Sequence, residues 1–126
     1  MLRQLAFLLD DHGFRSVNER ERHVRLESPT LGVEATFDPR GEVELAVFRL
    51  GHEEPGARWT YTGMVGRASV ERLLEIAAGQ LRDEPALLRG DPDFFERLRA
   101  KNRREAAAWT AYYSGTGSRP QTGELP

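Results

Sequence analysis

The stretch Leu31-Gly32-Val33-Glu34-Ala35-Thr36-Phe37-Asp38-Pro39-Arg40-Gly41-Glu42-Val43-Glu44-Leu45-Ala46-Val47-Phe48-Arg49-Leu50 decides the fold. In its first half Val33, Ala35 and Phe37 alternate with Glu34 and Thr36, and in its second Val43, Leu45 and Val47 alternate with Glu44 and Ala46. A side-chain period of two belongs to a strand with one buried face, so the stretch reads as two strands. Asp38-Pro39-Arg40-Gly41 supplies the turn between them. Proline presets φ near about −65°, the Asp38 side chain is placed to bond the backbone ahead, and Gly41 accepts a positive φ.

Working toward the N-terminus, Pro29 and Gly32 mark a further turn. Before it, Phe14, Val17, Val24 and Leu26 flank a charged run from Glu19 to Arg22, the pattern of a hairpin whose loop is the charged run. Leu2, Leu5, Ala6, Leu8 and Leu9 recur at helical spacing, and Gly13 is a left-handed terminator for that short first helix. Toward the C-terminus, a loop of His52, Glu53, Glu54, Pro55 and Gly56 precedes Arg58-Trp59-Thr60-Tyr61-Thr62, an aromatic and β-branched strand. After Gly63 the period changes. Val70, Leu73, Leu74, Ala77, Ala78 and Leu81 define a second helix, capped by Ser69 with Glu71 in its first turn and ending before Pro85. A short turn, Pro85 to Arg89, leads to Asp91-Pro92, which restarts a third helix running to about Tyr112 with Phe94, Phe95, Leu98, Ala106, Trp109 and Tyr112 as its apolar stripe.

Strands grouped together with helices at either end define an α+β fold: a four- to five-stranded antiparallel meander with an N-terminal helix and two C-terminal helices packed on one face. Residues 1–113 form one domain, and 114–126, made mostly of Gly, Ser, Thr and Pro with Leu125 the one large aliphatic, are expected to be a mobile tail. The other sheet face is left for water or a partner.

With 126 residues there is room for one core. Hydrophobic residues make up 39% and charged residues 30%, which excludes collagen-like, coiled-coil and membrane-spanning classes. The absence of cysteine excludes disulfide frameworks, thiolate nucleophiles and cysteine zinc clusters. The start, Met-Leu-Arg-Gln-Leu-Ala-Phe-Leu-Leu-Asp, is broken at Arg3 and Gln4 and lacks a cleavage site, so a cytoplasmic, soluble protein is expected. Net charge is −2, and neither part of the chain is a basic tail: residues 91–126 hold six cations against five acids, and residues 1–90 hold 12 against 15. Nucleic acid and anionic membrane are therefore not the expected partners.

Each cluster with chemical potential has a plainer reading. Asp10-Asp11-His12 point about 100° apart on a helix and do not converge on one ion. Glu42 and Glu44 share a strand face with Glu34 across from them, but as ordinary outward residues they lack the desolvated partner that acid and base catalysis needs. Gly63-Met64-Val65-Gly66-Arg67-Ala68-Ser69 lacks both the Walker lysine and the dinucleotide glycine spacing, and a tight strand-to-helix connection accounts for its glycines. Arg97, Lys101 and Arg104 lie on one helix face and Arg99 and Arg103 on another, which favours a solvated helix over an RNA-binding patch. Trp59 and Tyr61 share one strand face, either the core or a partner surface.

The order of short helix, meander with the Asp38-Pro39-Arg40-Gly41 turn, strand end Trp59-Thr60-Tyr61-Thr62-Gly63 and long terminal helix resembles small bacterial immunity proteins of polymorphic toxin systems, over residues 2–113. The resemblance implies binding and blocking of a toxin through an acidic or mixed surface, without catalysis. It carries over no residue role. The expected protein is thus a non-enzymatic binding module with no cofactor and no metal, using Glu34, Glu42, Glu44, His52, Glu53, Glu54, Trp59 and Tyr61 toward another protein. The alternative is a small-ligand or RNA-binding protein using the sheet-helix crevice or the third helix, and a homodimer through sheets or that helix is compatible with either.

Overall fold

Five antiparallel strands run as a meander: β1 (Arg15–Arg20), β2 (His23–Glu27), β3 (Leu31–Phe37), β4 (Glu42–Arg49) and β5 (Trp59–Met64), in the order β1-β2-β3-β4-β5. The computed structural model describes residues 2–120 apart from Pro39 and Arg67. Period two in the sequence becomes rows across the sheet. Leu26, Val33, Val47 and Trp59 are successive cross-strand partners, as are Val24, Ala35, Leu45 and Tyr61. Both rows lie on the face that meets the helices, where apolar cross-strand neighbours stabilise the pairing.

The helices are α1 (Ala6–Asp11), α2 (Val70–Arg82), α3 (Pro85–Leu88) and α4 (Pro92–Tyr113), with a 3-10 turn at Arg3–Leu5 ahead of α1. Leu5, Leu8, Ala77, Leu81, Leu87, Phe94, Phe95 and Leu98 join the sheet rows in one core. A satellite cluster of Val43, Leu73 and Leu74 extends it under α2. The expected caps are made: Ser69 accepts from the Arg72 amide at 3.1 Å, and Asp91 accepts from the Asp93 amide at 3.0 Å. Each satisfies an N–H that the helix cannot. Gly13 takes φ +70° just beyond α1, where the left-handed region costs glycine least.

Several expectations change in physical detail. Pro85 to Arg89, expected as a turn, contains the one-turn helix α3, whose Leu87 and Leu88 are buried. Gly32 is a strand residue, not part of the turn at Pro29. Gly41 has no positive φ; that turn is held by the Asp38 carboxylate, which accepts from the Arg40 amide at 2.9 Å, while Pro39 lies outside the described residues. Gly63 belongs to β5, and a Cβ there would stand 2.7 Å from Leu73 Cδ2, so it lets α2 close on the sheet. Val17 does not face the core: the register shifts between Ser16 and Asn18, and Val17 is 47% exposed. That bulge and the flanking Arg15, Glu19 and Arg20 blunt the β1 edge against adding another strand. Three of the last thirteen residues shape the end of α4, with Gly115 at φ +80° and the Thr116 amide bonded to Ala111 O at 2.9 Å. This closes the helix in a Schellman-type cap. Residues 121–126 of the expected tail lie outside the described residues.

The largest departure is on β4, which is not buried on one face only. Ala46 and Phe48 point away from the helices, yet they are 1% and 0% exposed. Phe48 pairs with Gly32, and its ring occupies the space that a Cβ at Gly32 would need. Gly32→Ala forces that ring to move. The expected loss is about 1–3 kcal/mol in urea unfolding, the usual range for overpacking a filled site. Combining it with Phe48→Leu is expected to cost less than the sum of the two single changes, because both act on one contact.

Candidate interaction surfaces

The outer sheet face, opposite the helices, is built around Phe48. Arg25 reaches it from β2 and Arg58 from the start of β5, with guanidinium carbons 5.1 and 4.6 Å from the ring centroid. A cation over an aromatic face is attracted by the ring quadrupole, the more so when water is displaced. Arg25 also donates to Glu27 at 2.8 Å, to Glu34 at 2.6 Å and to Glu53 at 3.1 Å. Glu34 is the cross-strand partner of Arg25, and Glu27 lies two residues along the same strand face. His23 Nε2 stands 3.5 Å from the second Glu34 oxygen. Burial alone pulls the Arg25 guanidinium down, but hydrogen bonds and charge from Glu27 and Glu53 outweigh it and leave its pKa above the ordinary arginine value.

This cluster also seats the long connection between β4 and β5. Arg58 donates to Glu53 O at 2.8 Å, so residues 50–58 fold against the sheet and bring the Glu53 carboxylate to Arg25. The far side of the same loop meets α4. Asn102 donates to Gly56 O at 3.0 Å and Arg58 O at 3.1 Å, and Arg99 pairs with Glu54 at 2.9 Å. A groove of about 400 Å³ remains there, lined by Glu54, Gly56, Arg99, Asn102, Arg103 and Ala106.

The residues singled out from sequence fall into four groups. Glu34 and Glu53 are brought together by Arg25, and Glu54 by Arg99, so all three serve the protein's own packing. Glu42 and Glu44 stay on the open part of the outer face with Thr36, Thr60 and Thr62, beside Met64, which is 53% exposed. His52 is exposed at the loop's start, its amide bonded to Arg49 O at 3.0 Å. Trp59 and Tyr61 take the core side: Trp59 is 2% exposed and Tyr61 packs half-buried against the same core. The aromatic pair that sequence left open therefore lies on the core side of the sheet, Trp59 wholly buried and Tyr61 partly so.

The aromatic surface lies instead on α4. Only Phe94, Phe95 and Leu98 of its expected stripe are buried, and from Arg99 to Tyr113 no residue of the helix is. Ala106, Trp109 and Tyr112 continue the stripe beyond the body it packs on. Trp109, Tyr112 and Tyr113 stack on one another with centroids 5.4 to 5.8 Å apart, and Tyr113 is 80% exposed. Of the five cations on this helix, Arg99 is held by Glu54 and Lys101 by Glu105 at 2.7 Å.

The remaining clusters stay apart. Asp10 and Asp11 end α1, and the His12 ring meets Phe7 edge-on at 5.9 Å. Among the described residues no three His, Asp or Glu side chains gather as metal ligands, and no helix is long and apolar enough to cross a membrane. Ser69 spends its hydroxyl on the amide of Arg72 at the glycine-bearing connection, where Arg67 lies outside the described residues. No family model matches the chain, and neither a curated protein nor a solved structure matches it.

Arg25→Met keeps much of the apolar stem over Phe48 but removes the charge shared by Glu27, Glu34 and Glu53. The expected loss is about 1–3 kcal/mol, the scale of hydrogen bonds to charged groups, and added salt should recover part of it by screening the three acids. A raised cation pKa stabilises the fold fully below the ordinary arginine value and loses that contribution only as pH rises through the folded value. Urea unfolding of the natural protein should therefore show no Arg25-dependent step from neutral to moderately alkaline pH.

Proposed function

We propose that this chain is a non-enzymatic protein-binding module whose partner docks on the open part of the outer sheet face. The observation that carries the reading is the division of that face. One part is sealed by Phe48, Arg25 and the 50–58 loop, and the rest is a broad surface of Thr36, Glu42, Glu44, Thr60 and Thr62 with Met64 beside it. An exposed methionine beside hydroxyls and acids suits a protein surface carrying basic residues, because opposite charge speeds encounter and fixes register. The resemblance to immunity proteins supports a finer version, in which the partner is a toxin, binding blocks it, and the complex forms in the cytoplasm.

RNA or a small ligand on α4 is the second reading, favoured by the stacked Trp109, Tyr112 and Tyr113 and the adjoining groove. The internal pairing of Arg99 and Lys101 counts against it.

Partner capture from the native host, followed by titration of the captured protein, tests the proposal. Glu42→Lys with Glu44→Lys is expected to weaken binding at least about tenfold, mainly by slowing association, and a toxin partner should regain activity in the same titration. Undiminished binding by the double variant contradicts the proposed surface. Binding of single-stranded RNA that weakens steeply with salt would favour the α4 reading instead.

A further inference from the structure

We infer that the edge of β5 takes an added strand: an extended segment of the partner, bearing a lysine or arginine that reaches across Thr62 to Glu44. The inference rests on the docking surface proposed above and says how a partner holds it. The sheet ends in β1 on one side and β5 on the other. An edge strand presents unpaired N–H and C=O groups, which proteins commonly guard with charges, proline or a bulge. β1 is guarded by its bulge and by Arg15, Glu19 and Arg20. β5 reads Trp59-Thr60-Tyr61-Thr62-Gly63-Met64, without charge or proline, and pairs with β4 in unbroken register.

The open groups of that edge follow from the register. The Val65 amide donates to Gly41 O at 2.8 Å, so alternation along the antiparallel pair turns the N–H and C=O of Trp59, Tyr61 and Gly63 toward β4 and those of Thr60 and Thr62 away from it. Thr60 and Thr62 are exposed, and among the described residues no hydrogen bond reaches these four groups from beyond the strand. The edge is closed on either side of them: Asn102 holds Arg58 O at 3.1 Å, and Val65 bridges back to Ala68. The gap left between these closures fits an extended main chain, whose donors and acceptors alternate at the same spacing.

Charge selects the occupant. Thr62 lies opposite Glu44, and Met64 opposite Glu42. Glu27, Glu34, Glu53 and Glu54 all have cation partners, whereas among the described residues no cation pairs with Glu42 or Glu44. Neighbouring strands lie about 4.8 Å apart, so a residue opposite Thr62 on an added strand stands about 10 Å from Glu44 between Cα atoms. A lysine or arginine there spans the gap over the short threonine side chain and meets the Glu44 carboxylate. A second copy of β5 brings no cation to this place, so the strand that fits is a foreign one.

The probe is a blocked peptide of alternating threonine and valine with one arginine at its centre, titrated to millimolar concentration into the full-length natural protein. Residue-resolved hydrogen exchange is expected to show the amides of Thr60 and Thr62 protected at least about tenfold by the peptide. Glutamate in place of the peptide's arginine should weaken binding at least about tenfold, and Glu44→Gln should remove the difference between the two peptides. Thr62→Pro deletes one outward N–H and leaves Tyr61 and Gly63 to pair with β4, so it should abolish binding while the circular dichroism spectrum is retained. The same peptide methylated on its backbone amides should fail to bind the natural protein, a result that does not depend on any variant folding. Unchanged exchange at Thr60 and Thr62 overturns the inference, as does equal binding of the arginine and glutamate peptides or undiminished binding by folded Thr62→Pro. A natural protein that is dimeric with those two amides already protected also overturns it, because a second copy then holds the edge. A captured partner weakened by Glu42→Lys with Glu44→Lys but not by Thr62→Pro strikes strand addition alone and leaves the docking surface standing.

Discussion

The Phe48 ring lying over Gly32 is the contact on which the outer half of this molecule depends. A meander covered by helices on one side would ordinarily leave its second side to water. A phenylalanine placed there has to be covered by something else, and glycine as its cross-strand partner lets the ring lie close to the sheet. The guanidiniums of Arg25 and Arg58 then cover it, their charges over the ring and their stems adding apolar contact. Arg25 gathers Glu27, Glu34 and Glu53, and Arg58 holds the backbone of Glu53, so one ring organises side chains from β2, β3, β4 and the loop before β5.

The loop seated in this way sets the course of α4. Gly56 and Arg58 present carbonyls to Asn102, and Glu54 presents its carboxylate to Arg99, which fixes the helix where it leaves the core. Beyond Leu98 no residue of α4 is buried, and the aromatics near its end stack on each other. Burial of one outward side chain is thus coupled, through a nine-residue loop, to the direction of a surface helix. The same loop divides the outer sheet face into a sealed part and an open part, and the docking surface proposed on that face follows from where the loop lies.

Much of this fold was legible because its signals are local. Alternation in Leu31–Leu50 identified β3 and β4, Ser69 marked the start of α2, and Asp91-Pro92 marked that of α4. What was not legible depends on contacts between distant segments. Alternation was read only as far as Val47; extended by one residue it turns Phe48 outward, but it is silent on whether an aperiodic loop will cover that ring. Trp59 and Tyr61 share a face by spacing alone, and only the register of β5 against Leu45 and Val47 puts that face in the core. The stripe on α4 keeps one helical angle from Phe95 to Tyr113, so periodicity cannot say where the body beneath it ends. Among the acids, the cross-strand opposition of Arg25 and Glu34 was readable once both hairpins were placed, and it would have marked Glu34 as a structural partner; Glu53 joins them only through the path of the loop.

The most direct measurement is hydrogen exchange, residue by residue, on Phe48→Ala. If the ring seats the loop, the amides of Ala57 and Arg58, bonded to Glu54 O and Pro55 O, should lose protection at least about tenfold. The amides of α4 near Asn102 should follow, while those pairing β2 with β3 keep most of theirs. Loss spread evenly over the whole domain, or a loop as protected as in the natural protein, would contradict the account.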